Sequence, residues 1–338
     1  MLSTFLPFRS REGYSVSDFK SGFANDLSSM IELKVSLGGS ASTYLPRAAS
    51  FDAFCFEKHG NADGLSKALA LDWLKESMPS GNCVVNSNAA FLRGFAFYLN
   101  AIGKEAYSIP DRFMTGRDIF VPYIFTDTEM KSIFTAIDHF HYPRNPLLPL
   151  TLNAYFRLTY TCGLRPMEGR ELKRSDVDLH TGEIQIVNSK RRKSRIVVMS
   201  DDMLSLMKRY IVARDAVAPD SAYLFPNFKG IPYTAAFMQK KFVGFFREVY
   251  PDIPEEFLPP VRVYDLRHRF ATAVLNKWLD AGMDINSRLP YLQTYMGHNH
   301  IESTAYYIYL LPENISKSPT IAWNKMGEIF PRAELWAE

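Results

Sequence analysis

Three kinds of side chain in this 338-residue sequence could work on a phosphodiester. A phenol is a usable nucleophile toward phosphorus, because its pKa near ~10 lies far below that of an alcohol. Arginine offers a planar fork of donors to nonbridging oxygens, and a mobile lysine can hand a proton to a departing oxygen. Arg165 stands just after Gly163 and three residues before Glu168, a spacing that lets a helical carboxylate hold the guanidinium. Taken alone, such a pair is equally a structural lock. Arg267 lies one helical turn after Tyr264, on the same face, in Val263-Tyr264-Asp265-Leu266-Arg267-His268. Alone, that is an ordinary helix. The segment Ser189 to Arg195 packs five cations into seven residues at a hairpin tip, more than a soluble turn needs. It predicts contact with a polyanion, of which DNA phosphate is the commonest. Met296-Gly297-His298 is followed nine residues on by Tyr307.

Read in order, the motifs are Gly-Leu-Arg-x-x-Glu, a basic hairpin, Asp-Leu-Arg-His-x-Phe-Ala-Thr, and Met-Gly-His followed by Ser-Thr-x-x-Tyr. This order resembles the catalytic domain of the tyrosine recombinases, the phage-integrase family related in mechanism to type IB topoisomerases. The resemblance is strongest from about Thr126 to Leu310. Four motifs in sequence are far less probable by chance than any one of them. The N-terminal region is similar to the family's core-binding domain in length, position and helicity. The resemblance implies that Arg165 and Arg267 grip the scissile phosphate, that Glu168 orients Arg165, and that Tyr307 is the nucleophile forming a 3'-phosphotyrosine. It matches His298 to the histidine of the family's Leu-Gly-His motif. It makes Lys190 the acid for the leaving 5'-oxygen, with Lys193 as fallback, while the charge of the hairpin tip makes Arg191, Arg192, Lys193 and Arg195 the expected DNA contacts. One position departs: the family's histidine three residues before the second arginine is Tyr264 here. A protonated phenol can donate to a phosphate oxygen but is a poor base. Tyr264 is therefore expected to position the phosphate, leaving proton handling to His298.

Plainer readings stand beside these. Tyr306, Tyr307 and Tyr309 could form an aromatic helix face packed on a core, and without the upstream motifs that reading would prevail. His268 and His300 read as structural, because His268 follows Arg267 by one residue and so points ~100° away on a helix. Apart from His300, no second ligand lies near His298 at metal-binding spacing, so no metal and no other cofactor is expected. The arginines would take the metal's place; one donor to a developing charge is commonly worth ~2.7 to 4 kcal/mol.

The elements that must position these residues follow from periodicity and punctuation. Residues 14 to 99 read as several short helices broken at Gly38-Gly39-Ser40, at 60–64 and at Pro79-Ser80-Gly81. Residues 103 to 122 lack period and look like a connection between domains. Thr126-x-x-Glu129 is a capping box opening a helix to about Phe140. A helix from about Leu150 to Cys162 ends at Gly163, and Pro166 suits the first turn of the next, placing Arg165 at a tight corner. Glu183 to Val187 and Arg195 to Met199 read as two strands. Helices return near 201–214, 234–249, 262–278, 287–296 and 302–310. The fold expected is mainly α with a small β-sheet. It comprises a helical N-terminal domain (1–110), a linker (111–122), an α+β catalytic domain (123–310) and a tail (311–338) able to dock on its own or a neighbouring subunit.

Composition limits the alternatives. Hydrophobic residues make up 47%, enough for two cores, which excludes a disordered or fibrous chain. The net charge of +3 does not by itself mark a nucleic-acid binder. Cys55, Cys83 and Cys162 are odd in number and lack CxxC spacing, which argues against a disulfide framework. No run approaches the ~18 apolar residues of a membrane span, and a cytoplasmic, nucleoid-associated protein with no membrane partner is expected. The leading reading is a site-specific recombinase of a mobile element. It would act on double-stranded DNA as a homo-tetramer in the synaptic complex, with room for accessory DNA-bending proteins. A DNA-binding protein of the same fold that has lost catalysis, or a topoisomerase-like relaxing enzyme, are the alternatives.

Overall fold

The computed structural model describes residues 18–60, 62, 64–110, 122–187 and 194–311, excluding the side chain of Tyr309. The chain divides into two compact units, 1–120 and 121–338. Twelve α-helices, three short 3-10 helices and one two-stranded sheet make up the regular structure of the described residues.

The first unit holds α1 (Ala24–Ser36), α2 (Ala41–Lys58), α3 (Lys67–Ser77) and α4 (Asn82–Ala101). Its core is aromatic: Phe23, Phe51, Trp73, Phe91 and Phe95 pack largely edge to face around Phe51. The buried Asp52 carboxylate accepts from the backbone N–H groups of Lys20 and Ser21, fixing the approach to α1. Residues 104–110 extend this unit: Ile109 is buried in the same core and the Tyr107 N–H donates to the Leu65 carbonyl. The aperiodic stretch read as a connection thus begins by packing on the first unit. Segment 111–121, where the linker is expected, and the tail from 312 onward lie outside the described residues.

The second unit opens with α5 (Asp127–His139) behind the expected capping box, in which Thr126 Oγ1 accepts from Glu129 N and Glu129 accepts from Thr126 N. Buried Glu129 also accepts from Tyr123 at 2.5 Å and Tyr250 at 2.6 Å. Next come α6 (Leu147–Thr161), α7 (Pro166–Glu171), β1 (Glu183–Ile186), β2 (Arg195–Val198), α8 (Asp201–Val217) and α9 (Ala235–Val249). The chain continues through α10 (Val263–Asp280), α11 (Ile285–Met296) and α12 (Glu302–Tyr309). Side-chain oxygens of Ser200, Thr234 and Asp284 cap α8, α9 and α11, satisfying N–H groups that a helix start leaves unpaired. The apolar α6 packs against α5, α8 and α10 as the central post. The α10 helix also meets α11 and α12, which share a smaller core of Leu275, Leu289, Leu292, Met296 and Ile308.

β1 and β2 pair antiparallel, with Ile186 opposite Arg195 and Ile184 opposite Val197. Ile184, Ile186 and Val197 are buried while Ile196 and Val198 are exposed, so the strands present one inner and one outer face. No described helix is long and apolar enough to cross a membrane.

Candidate active site

The site is built at a corner, a helix and a helix end. After α6, Gly163 adopts φ +57°, and a Cβ there would lie 2.4 Å from the Phe270 ring. Only glycine turns the chain here without strain and without displacing that ring. The turn leaves Arg165 as the N-cap of α7, with Pro166 at its first position. Glu168 reaches back from the first turn and accepts from the Arg165 backbone N–H at 2.9 Å and from its Nη1 at 2.6 Å. Arg165 Nη2 donates to the Gly297 carbonyl at 2.8 Å. Gly297, at φ +64°, ends α11 in the left-handed conformation, and a Cβ on it would press on the Arg195 guanidinium at 3.1 Å.

Arg267, on α10, is fully buried. It donates from Nη1 to Gly163 O at 2.7 Å and from Nη2 to Met296 O at 2.6 Å and His298 Nε2 at 3.0 Å. The two arginines are therefore cross-braced. Arg165 is tied to the turn that carries His298, and Arg267 is tied to both that turn and the corner that carries Arg165. The Arg267 Nε–H is buried without a partner among the described residues. A buried donor left unpaired costs ~1 to 3 kcal/mol.

His298 is held at both ring nitrogens. Arginine can only donate, so Nε2 accepts from Arg267 and Nδ1–H donates to buried Thr304 Oγ1 at 2.8 Å. Burial, with Arg267, Arg165 and Arg195 close by, pulls its pKa down to about 3, so the ring is neutral at pH 7. Tyr307 on α12 is 2% exposed, its ring stacked against His298 at 5.9 Å between centroids, and burial pushes its phenol up to about 12 although Arg267 pulls the other way. Tyr306, next along the helix, is 37% exposed. Arg165, Tyr264, His268, His298 and Tyr307 line one cleft of about 420 Å³.

Two residues stand where the sequence reading did not put them. Arg195, expected at the DNA surface, turns inward: its Nη1 and Nη2 donate to the two Glu168 oxygens at 2.9 and 2.8 Å, and its Nε to Tyr295 O at 2.8 Å. Strand alternation explains the difference, because Arg195 is two residues from buried Val197 and so shares the inner face. Burial alone would raise Glu168, but the Arg195 and Arg165 forks hold it at about 2, a fixed anion between two cations. His268, read as structural, packs its ring against Tyr264 at 5.1 Å and Tyr307 at 5.5 Å. It lies four residues after Tyr264, which puts both on one helix face; the angle to Arg267 alone hid this. Lys190, Arg191, Arg192 and Lys193 lie outside the described residues. Among the described residues no three His, Cys, Asp or Glu side chains gather as cation ligands.

A buried phenol beside two braced guanidinium groups is an arrangement suited to an anionic centre. The sequence pattern of the phage integrase family matches residues 124–313, which contain every one of these groups. The chain belongs to that family, the tyrosine recombinases. It is 28% identical over 268 residues to y4rB of Sinorhizobium fredii, a "Putative integrase/recombinase", across 78% of this chain and 85% of that one. To the tyrosine recombinase XerC of Staphylococcus saprophyticus it is 23% identical over 204 residues, covering 60% and 62%. The fold is shared with the XerH site-specific recombinase bound to palindromic difH substrate (TM-score 0.61, 17% identity, 89% of each chain). A lambda integrase tetramer bound to a Holliday junction shares it too (TM-score 0.58, 14% identity, 84% of this chain and 76% of that one).

Proposed function

We propose that this chain is the site-specific recombinase of a mobile DNA element, cutting duplex DNA with Tyr307 and exchanging strands within a tetramer. The observation that carries this is the convergence of Tyr307, Arg165 and His298 from three separate elements on one cleft, with Arg267 buried directly behind it and hydrogen-bonded to His298. In this reading the scissile phosphate enters that cleft. The Arg165 and Arg267 donors meet its nonbridging oxygens and stabilise the added charge of the five-coordinate transition state. Tyr307 Oη bonds to phosphorus, the P–O5' bond breaks, and Lys190 supplies the proton that the 5'-oxygen needs. The bond energy is kept as a 3'-phosphotyrosine, so rejoining needs no ATP. Glu168, clamped by Arg195, acts through Arg165 as a positioning residue. XerH bound to its palindromic difH substrate and the lambda integrase tetramer bound to a Holliday junction support duplex DNA as the partner, and the lambda tetramer supports assembly in fours.

The test uses a duplex selected from a random-sequence library by binding to the full chain, then nicked beside the cleavage point so that the cut strand diffuses away. A covalent protein–DNA band in denaturing electrophoresis, formed in excess EDTA and mapping to a Tyr307 peptide, is the expected result. No band, or an adduct on Tyr264, overturns the reading.

A further inference from the structure

We propose that His268 is the base that takes the phenolic proton of Tyr307 as its oxygen closes on phosphorus. The inference rests on Tyr307 being the nucleophile, as argued above. A buried phenol attacking an anionic centre must lose its proton to a group at hand, and most groups in the cleft cannot take it. Arg165 and Arg267 are cations with no lone pair to offer. Tyr264 is itself a phenol. His298 spends its acceptor nitrogen on Arg267 and its N–H on Thr304, and accepting a proton would break the brace that holds Arg267. His300 also lines the cleft but is exposed to water. His268 remains: 8% exposed, its ring against that of Tyr307, and its Nδ1 enclosed without a partner among the described residues.

The charges facing the imidazole keep it in the accepting form. Arg262 caps the start of its own helix, which also carries Arg267 and Tyr264, Tyr307 faces it from α12, and Arg165 and His298 line the cleft with it. Burial first, then Arg262 and Arg267, hold its pKa at about 4, so the ring is neutral at pH 7. In the step itself the Tyr307 Oη–P bond forms and the phenolic proton passes to the imidazole. The P–O5' bond breaks with its electron pair, and the 5'-oxygen is protonated by Lys190. Rejoining runs the same path backwards, the imidazolium returning its proton to the departing phenolate.

The experiment measures single-turnover adduct formation by the full chain on the selected nicked duplex. His268→Gln, with His268→Asn in reserve should the longer amide lower the melting temperature, should slow it about 100-fold, within the usual range for acid–base catalysis, at unchanged DNA affinity. Replacing the bridging 5'-oxygen by sulfur should not restore the rate, because the leaving group is not what has been impaired. Adding Tyr264→His to the same chain puts an imidazole one turn away on the same cleft and should recover at least tenfold, which a packing role for His268 would not allow. Wild-type rates in both His268 variants, rescue by sulfur, or no recovery with Tyr264→His overturns the proposal while leaving Tyr307 in place. An adduct formed by Tyr307→Phe overturns the nucleophile reading instead.

Discussion

Arg267 donates from Nη1 to the carbonyl oxygen of Gly163 at 2.7 Å, across 104 residues of sequence. A side chain expected to meet phosphate thus also holds the backbone corner that presents its fellow, Arg165. The spacing between the two guanidinium groups is therefore set by hydrogen bonds to main-chain atoms, which move less than side chains do. Such preorganised donors need little reorganisation as charge develops in a transition state.

Gly163→Ala tests this corner. A methyl group would meet the Phe270 ring and sit in a left-handed conformation that alanine disfavours. The variant should lose about 1 to 3 kcal/mol of stability by denaturant titration, and cleave more slowly than its residual DNA binding explains. Unchanged stability would mean that Phe270 moves aside freely.

Tyr307→Phe should abolish the covalent adduct and leave DNA affinity nearly intact, since only the nucleophilic oxygen is lost. Tyr306→Phe should keep the adduct, because that ring is partly exposed and adjacent rather than enclosed. The opposite pattern would shift the nucleophile by one residue.

Part of this arrangement is written in local sequence and part is not. The Thr126–Glu129 capping box, the Gly163 corner and Pro166 are local signals, and local hydrogen bonding fixes them. Arg195 was misread because a run of cations suggested one solvated tip, whereas the period-2 strand pattern that begins at Arg195 sends it inward. The engagement of both His298 nitrogens depends on partners 31 residues before it and 6 after, and no spacing rule announces it. His268 was legible by its four-residue distance from Tyr264, had that face rather than the Arg267 face been followed.

Arg195→Ala should unfold the chain at lower denaturant concentration by about 3 to 5 kcal/mol, the usual cost of stripping one partner from a buried ion pair, and Arg195→Lys should recover only part of it. The pH dependence has a definite sign. Glu168 is held at about 2 against an ordinary 4.5, so its contribution is complete above about pH 4.5 and is lost as pH falls toward 2. Melting temperatures between those limits should fall more steeply for the wild type than for Glu168→Gln. Parallel slopes would contradict the assignment.

Lys190→Ala should be rescued by sulfur at the bridging 5' position, since a thiolate leaves without a proton. Arg165→Ala and Arg267→Ala should not respond. Rescue in Lys193→Ala but not in Lys190→Ala would transfer the acid to the second lysine.

The cross-brace also bears on how the protein is made. The carbonyl that fixes Arg165 belongs to Gly297, 132 residues later, and Tyr307 follows still further on. At a ribosomal pace of roughly 5 to 20 residues per second, Arg165 waits about 7 to 26 s for that partner to be polymerised. A nascent chain on the ribosome consequently carries neither the braced arginine pair nor Tyr307 while most of the second unit is already out. Premature termination anywhere before that point yields fragments that lack both the Gly297 brace and Tyr307.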